Sequence, residues 1–467
     1  MNEAQEHEDL KEVYRHLHEL LEEQEYEKLH EELSSMEMVE VAEFLSEVDE
    51  NDAFLLLNRF EGELKADIFA NFDQKLQKAL LEYFSPKEMA VLLTDMSSDD
   101  RADLFQNLKV EIQDRVLPYL NKAERDDIIH LSSFPRQTAG AVMSSDFATI
   151  RSSMSVQSAI NKIRKDSPSK ETIYYIYVVD DDQRLTGIIS LRKLIMADPK
   201  DTIEDIIKKD VVFAYVTEDQ EEVIRKIEKY DLIAIPVVNA ENQMVGIVTH
   251  DDAMDIIQEE QTEDIQKMAG MESLNEPYST ISFIRMIQKR AGWLILLFVG
   301  ETFTATAMKY YEDKIQRAVL LATFIPLIIS SGGNSGSQAS TLITRAMSLD
   351  EINVADWWRV VSKELSIGLM LGFILGIIGF FRITVWALIF PDIYGPHWPL
   401  VSVTVGCALV GVVMWGTMMG SLLPIVLKRL GFDPAVSSAP FVATLVDVSG
   451  LVIYFSVATL FLKGILL

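Results

Sequence analysis

Two acidic side chains, Glu301 and Asp447, lie deep inside long apolar runs of the sequence. An ionised carboxylate at the centre of a bilayer costs at least about 2.5–3.5 kcal/mol, so such a residue normally faces water or a partner. Asp447 follows small and polar residues that include Pro440, a composition that lets a membrane helix line a water-filled path. We interpret Asp447 as a cation ligand in a pore, with a cap on a broken helix near Gly450 as the alternative. Glu301 fits a pore role or a pairing with a basic group or hydroxyl equally well.

The glycine- and hydroxyl-rich stretch 330–340 ends another apolar run and is a second candidate pore lining. Gly332 and Gly333 permit close backbone approach, and Asn334 and its neighbours offer oxygen ligands. Small-residue helix packing explains the same composition, and the pattern alone does not separate the two. Mg2+ prefers oxygen ligands and keeps much of its water, and Mn2+ fits nearly as well. Soft or imidazole-binding metals fit poorly, because the apolar runs contain no histidine.

Five apolar runs are long enough to cross a bilayer, which takes about 20 residues per helix. Basic residues such as Arg345 and Lys428 flank the runs on one side, which the positive-inside rule places in the cytoplasm. Met1 is followed by an acidic stretch, so we expect no signal peptide and a cytoplasmic N-terminus in a plasma-membrane protein. The runs are 291–308, 315–333, 364–390, 399–427 and 439–462.

The formal net charge of −29 falls entirely on the first 290 residues, because acids and bases are equal in number in the remainder. Such an acidic surface repels nucleic acid and serves either solubility or cation binding. The single cysteine, Cys407, excludes an intrachain disulfide and a cysteine-based metal site within one chain. The sequence has no P-loop, no GxSxG and no HExxH, and we predict that the chain is not an enzyme.

Residues 42–120 repeat at a shift of 24, with apolar triplets at helical spacing followed by polar turn residues. Short helices at a fixed period bury each other's faces, which predicts an α-helical superhelix. Such a superhelix is a scaffold or a docking surface. The triplets that coincide are Phe44/Leu45/Val48, Ile68/Phe69/Phe72, Leu92/Leu93/Met96 and Val116/Leu117/Leu120.

Residues 137–260 repeat at a different shift, 59, which aligns the segments that begin at Val178 and Val237. Each half reads as a helix, a β-branched strand, a polar turn, a second strand and a closing helix. This pattern resembles a tandem pair of CBS domains, an α/β regulatory fold that commonly binds nucleotides or senses ions. The second half is the better match, since Tyr177 in the first half stands where the second has Pro236.

Seven acidic residues fall within the fourteen positions from Asp251 to Asp264, in a predicted helix. Several lie three to five residues apart, where like charges repel on one helix face and bound cations would relieve the repulsion. A solvated acidic face is the commoner explanation of such a run. Its position before a helix at about 278–290, which enters the membrane, favours a cation sensor.

The order of helical superhelix, CBS pair, connecting helix and five membrane spans resembles the MgtE family of magnesium channels over essentially the whole chain. The domains implied are 1–135 for the acidic helical repeats, 136–261 for the CBS pair, 262–290 for the connecting helix and 291–467 for the pore. The motifs that carry the resemblance are GGNSGSQ at 332–338, KRAGWL at 289–294, TEDI at 262–265 and FDPA at 432–435, followed by Asp447.

The resemblance implies a homodimer whose pore lies between subunits, lined by the second and fifth spans, where Asp447 holds hydrated Mg2+ with the backbone around Ala443. It also implies that cytosolic Mg2+ bridges the N-terminal domain, CBS pair and connecting helix and closes the pore. Some members bind ATP at the CBS pair, and the weak first half leaves this open here. The matching sensor positions are Asp219, Glu221, Asp231, Asp252, Asp255, Glu260, Glu263 and Asp264, with Asp99 and Asp103 as partners in the N-terminal domain.

Two other functions are consistent with the same features. A transporter chiefly for Mn2+ or Co2+ would use the same oxygen ligands, and competition for flux would distinguish it. A nucleotide-sensing regulator with a membrane anchor would bind ATP without ion flux, although an anchor needs only one span and no intramembrane Asp447. The resemblance favours a Mg2+ channel that cytosolic Mg2+ closes.

Overall fold

The computed structural model describes residues 3–167, 170–274, 278–279 and 281–464. The chain forms two units, Met1–Gln258 and Glu259–Leu467. Short helices and then two small sheets make up the first unit, and long apolar helices dominate the second. The predicted fold class is therefore confirmed. Residues 1–2, 168–169, 275–277, 280 and 465–467 of the predicted domains lie outside the described residues.

Short helices joined by tight turns form the N-terminal domain, and each 24-residue period holds two of them. They are α1 (Glu3–Glu22), α2 (Tyr26–Leu33), α3 (Met38–Glu47), α4 (Glu50–Leu57), α5 (Gly62–Ala70), α6 (Gln74–Leu81), α7 (Pro86–Asp95), α8 (Ser98–Asn107), α9 (Val110–Val116) and α10 (Lys122–Leu131). Helices α3, α5, α7 and α9 pack each on the next, and α4 packs on α6. The apolar triplets supply this shared core, so the predicted superhelix is confirmed.

Two three-stranded sheets with the same topology form the CBS pair. The elements are β1 (Phe147–Arg151), α11 (Val156–Asp166), β2 (Thr172–Val179), β3 (Leu185–Ser190), α12 (Leu191–Met196), α13 (Ile203–Ile206), β4 (Ala214–Tyr215), α14 (Gln220–Tyr230), β5 (Ala234–Val238) and β6 (Met244–Thr249). In each sheet the central strand pairs parallel with the first and antiparallel with the third. Val178 pairs with Gly187 and Val237 with Gly246, so the register repeats at the shift read from the sequence.

A long acidic helix, α15 (His250–Met268), follows the CBS pair directly. The seven-acid run is therefore helical, as predicted. The next helix, α16, begins at Phe283 rather than near residue 278 and continues without a break to Tyr310, so the entry helix and the first span are one element.

Five helices of the second unit are long and apolar enough to cross a membrane, which is the predicted number: Phe283–Tyr310, Val319–Ser348, Val354–Ile389, Trp398–Arg429 and Ala439–Leu462. The second is predicted to end at residue 333 but continues to Ser348, so the stretch 330–340 lies inside a helix rather than at its end. Its elements after α16 are α17 (Glu312–Arg317), α18 (Val319–Ala322), α19 (Ile325–Ser348), α20 (Trp357–Ile389), α21 (Pro391–Tyr394), α22 (Trp398–Arg429) and α23 (Ala439–Leu462). Helix α22 packs against α19, α20 and α23, and α16 packs on α23.

Glycines bring α19 and α22 into backbone contact. A Cβ atom on Gly416 would lie 2.2 Å from the Gly332 carbonyl oxygen, and one on Gly420 would lie 2.1 Å from the Gly336 carbonyl oxygen. Only residues without a side chain permit this approach, which compensates for the absence of a hydrophobic driving force between helices in lipid.

Candidate cation sites

Asp447 lies in the first half of α23 and is half-buried. The Ser438 side chain caps this helix by accepting a hydrogen bond from the Phe441 N–H, and Pro440 lies in the first turn. The helix continues through Gly450, so a cap on a broken helix does not explain the carboxylate. Within the described residues Asp447 has no hydrogen-bond or ion-pair partner, which leaves its oxygens available to a cation.

The residues predicted to line the pore fall on two sides of α19. Gly333 faces Ala443 of α23, since a Cβ on Gly333 would lie 3.6 Å from the Ala443 Cα. Gly332 instead packs against Val412 of α22, as expected for small-residue helix packing. Asn334 is exposed on the surface of the protomer. The structure thus brings Gly333 close to Ala443, while Gly332 serves helix packing.

The end of α15 is tied to the segment between α22 and α23 by a lysine. The Lys267 ammonium lies 2.5 Å from Glu263 and 2.7 Å from Asp433. Burial lowers the pKa of this lysine, but the two carboxylate contacts together raise it above its usual value. Asp264 accepts a hydrogen bond from the Ser348 hydroxyl (3.3 Å). Burial and then the Asp433 charge raise the pKa of Asp264. Of the predicted sensor acids, Glu263 therefore already has a cationic partner in the chain.

A separate group of carboxylates lies within the first unit, where the start of α8 meets the CBS pair. The Ser98 and Ser144 hydroxyls are hydrogen-bonded at 2.9 Å, and the Ser145 N–H donates to Ser98 Oγ at 2.8 Å. Ser98 and Ser144 are buried, so they hold the N-terminal domain on the CBS pair at this point. We call the acids assembled here the junction cluster: Asp99, Asp100, Glu171 and Asp252.

Electrostatic repulsion acts inside the junction cluster. Burial, followed by the charges of Asp252 and Asp100, raises the pKa of Asp99 well above its usual value. One Asp99 oxygen, Oδ1, is excluded from solvent and accepts no hydrogen bond within the described residues. Burial also raises the pKa of Asp252, although its hydrogen bonds from Thr249 oppose the shift. The carboxylates of the cluster therefore repel one another unless protons or a bound cation neutralise them.

Glu171 is the fourth member of the junction cluster, and its pKa is also raised. The residue as a whole is exposed at the surface, but its carboxyl lies among acids, and its pKa rises from 4.5 to about 7. Burial is the first cause, followed by the charges of Asp252 and Asp146. The Lys170 ammonium lies 3.7 Å from Asp146, at a long distance for an ion pair, so this half-buried lysine does not neutralise the four acids of the cluster.

The remaining predicted sensor acids are spread over other surfaces. Asp219 caps α14 by accepting from the Glu221 N–H, and the Glu221 carboxylate pairs with Arg225 at 2.8 Å. Asp231 ends α14 in the left-handed region, with φ of 49°. Asp103 lies on α8, one turn beyond Asp99, and is exposed. On α15, Asp255 is exposed and Glu260 is half-buried.

No three acidic, histidine or cysteine side chains of the described residues lie close enough together to ligate one metal ion directly. The junction cluster instead fits a hydrated ion, because Mg2+ keeps several waters and is often held by one or two carboxylates. The solvent-excluded Asp99 oxygen without a donor is the observation that supports this fit. A bound divalent cation would supply the missing charge.

Sequence reasoning missed four acids that the structure places at these sites or inside a span. Asp100 and Glu171 belong to the junction cluster, and Asp433 pairs with Lys267. Glu364 is buried within α20. The predicted third span begins at residue 364, so the sequence places Glu364 at the edge of the membrane rather than inside it. Of these four acids, only Asp433 belongs to a motif identified from the sequence, FDPA at 432–435.

Three family models match the chain. The model of MgtE, described as a divalent cation transporter, matches residues 325–457, and that of the MgtE intracellular N domain matches residues 36–137. The CBS domain model matches residues 139–200 and 203–259.

Similar proteins extend over nearly the whole length. The Magnesium transporter MgtE of Thermus thermophilus is 33% identical over 434 residues, which cover 90% of this chain and 94% of the relative. The Magnesium transporter MgtE of Enterococcus faecalis is 33% identical over 441 residues, which cover 88% and 93%. The crystal structure of the soluble part of a magnesium transporter is 33% identical, with a TM-score of 0.51, and covers 54% of this chain and 99% of that one. The chain is an integral membrane protein of the MgtE family of divalent cation transporters.

Proposed function

We propose that the chain is a channel for Mg2+ that cytosolic Mg2+ closes. The observation that carries the proposal is Asp447, a carboxylate without a protein partner among the described residues, inside a membrane-spanning helix. The free-energy cost of placing an ionised carboxylate in hydrocarbon is reduced if Asp447 faces a water-filled path and binds a cation. The relatives named as magnesium transporters support Mg2+ as the transported ion.

In this proposal Asp447 holds Mg2+ through the ion's own waters, with the backbone near Ala443 completing the site. The close approach of Gly333 to Ala443 keeps bulky side chains away from that backbone. Asn334 lies on the exposed face of α19, which in a homodimer would be available to the pore between subunits. The second copy, like the role of Asn334, is part of the proposal.

The proposed sensor is the junction cluster together with the predicted acids along α15. Mg2+ would neutralise Asp99, Asp252 and their neighbours and favour the assembly of α8 on the CBS pair. An ion can shift a conformational equilibrium only by its difference in affinity between the two states. The repulsion within the cluster supplies that difference, because the acids repel each other only while they are assembled.

We also propose a plasma-membrane location with the N-terminus in the cytoplasm, and the domain limits 1–135, 136–261, 262–290 and 291–467. The basic residues of the proposed inner loops support this orientation. ATP binding at the CBS pair stays a prediction, and the function requires no catalysis.

Mg2+ influx into proteoliposomes tests the conduction proposal. We expect the wild-type chain to carry influx at low internal Mg2+ and Asp447→Ala to lose at least about 90% of it. Equal influx through the two proteins would exclude Asp447 from the path, and no influx through folded wild type would exclude a channel. Mn2+ or Co2+ that enters in preference to Mg2+ would instead favour a transporter for those ions.

A further inference from the structure

We propose that Glu301 of the first span is a second carboxylate of the Asp447 permeation site and sets its affinity for divalent cations. The inference rests on the proposed function. From the sequence, a pore role for Glu301 and a pairing with a basic group or a hydroxyl are equally consistent. The structure decides between these through the packing of α16 on α23 and through the partners that Glu301 lacks.

Helices α16 and α23 run side by side in the same direction. Near their first turns in the membrane, Trp293 Nε1 donates to Ser438 Oγ at 3.2 Å. Farther along, a Cβ on Gly300 would lie 2.9 Å from Thr444 Cγ2, so the missing side chain allows the helices to touch. Successive contacts therefore involve later residues of both helices, as they must in a parallel pair.

The contact between Trp293 and Ser438 places Glu301 and Asp447 at the same depth. Glu301 follows Trp293 by two helical turns, and Asp447 follows Ser438 by a similar interval. At 1.5 Å per residue both carboxylates lie about 12–14 Å beyond the common reference point.

Among the candidate hydroxyl partners of Glu301, those of Thr302 and Thr306 donate to backbone carbonyls, and Thr304 Oγ1 makes no hydrogen bond to Glu301 or to any other group of the described residues. Lys309, a basic residue later on the same helix, pairs with Glu312. Within the described residues Glu301 has neither a hydrogen bond nor an ion pair.

Two carboxylates at one depth in a membrane repel each other and are poorly solvated. A divalent cation between them offsets both effects, and its double charge matches theirs. A site with two carboxylates binds Mg2+ more strongly than a site with Asp447 alone, while one carboxylate still suffices for passage. Glu301 therefore acts on affinity and Asp447 on conduction itself.

The test compares wild type with Glu301→Gln in proteoliposomes, with Mg2+ influx measured over a range of external Mg2+. We expect the half-saturating Mg2+ concentration to rise about fivefold and the maximal influx to change less than twofold. Glu301→Asp, which keeps the charge, should recover most of the affinity. Glu312→Gln removes an equal charge beyond the end of the span and serves as the matched control, with no change expected.

Calorimetric titration of the detergent-purified full chain with Mg2+ provides a second readout that does not require transport. Glu301→Gln should weaken binding in the wild-type background and cause no further loss when Asp447→Asn is present. An unchanged half-saturating concentration, a loss of maximal influx alone, or equal binding losses in both backgrounds would overturn the proposal. If wild type carries no influx, the proposed function fails and the titration still decides the role of Glu301.

Discussion

At the scale of single residues, the junction cluster shows acids placed together without enough positive charge. Glu171 comes from the segment before β2, Asp252 from the start of α15 and Asp99 from the start of α8. The Lys170 ammonium nearby pairs loosely with Asp146. Protons or bound cations must therefore supply the charge that the protein does not.

The raised pKa of Glu171 gives a pH dependence with a definite sign. A carboxyl whose pKa rises from 4.5 to about 7 on assembly stabilises the assembled state below pH 4.5, and this contribution is lost as the pH rises through about 7. Mg2+ must replace the lost protons, so it should raise the unfolding temperature more at pH 8 than at pH 6. The acids that face Glu171 are Asp252, Asp146, Asp251, Asp100 and Asp99.

Thermal unfolding of the detergent-purified full chain, with and without Mg2+, measures this effect. Glu171→Gln should reduce the difference between pH 8 and pH 6 by about half or more. Glu241→Gln, an exposed acid in the turn between β5 and β6, is the control and should leave it unchanged. A Mg2+ effect that is the same at both pH values in wild type would argue against the cluster as a cation site.

Sequence reasoning reached some of these residues and not others, for a physical reason. Asp99 and Asp252 matched family positions, and the structure brings them together. Glu171 precedes a strand in a polar segment and carries no periodicity or motif. Its importance arises only when the fold brings three distant segments to one point, and a linear pattern does not encode that proximity.

At the scale of elements, the α19–α22 crossing depends on glycines. Gly416→Ala would place a methyl group 2.2 Å from a backbone oxygen that has no freedom to rotate away. We expect a loss of about 1–3 kcal/mol, the usual cost of overpacking, and a lower unfolding temperature in detergent. Gly292→Ala on α16 is the control, because its nearest neighbour is 3.7 Å away. Equal unfolding temperatures for Gly416→Ala and wild type would disprove the tight crossing.

The helices and strands of the first unit can be predicted from the sequence because their apolar residues repeat at fixed intervals. The 24-residue and 59-residue repeats predicted the superhelix and the CBS pair, and the register of Val178 with Gly187 confirms the second. The stretch around Gly332 was ambiguous, because helix packing and pore lining both select small residues. Only the three-dimensional neighbours, Val412 for Gly332 and Ala443 for Gly333, separate the two uses.

At the scale of the whole molecule, the proposed cation sensor is acidic and precedes the proposed membrane pore along the chain. The net charge of −29 belongs to the part proposed to sense Mg2+, and the membrane part is balanced. Coupling requires that Mg2+ bind the closed state more strongly than the open one. Acids at Asp255 and Glu260, on successive turns of α15, are the positions where loss of charge should weaken that preference.

The most direct test of the central claim is Mg2+ influx into proteoliposomes with internal Mg2+ clamped first low and then high. The account predicts that wild-type influx falls several-fold at high internal Mg2+, whereas Asp255→Ala/Glu260→Ala conducts normally at low internal Mg2+ and is inhibited much less. Glu241→Gln, with one exposed acid removed, should behave as wild type. Wild-type influx that is insensitive to internal Mg2+, or a double variant inhibited as strongly as wild type, would contradict the account.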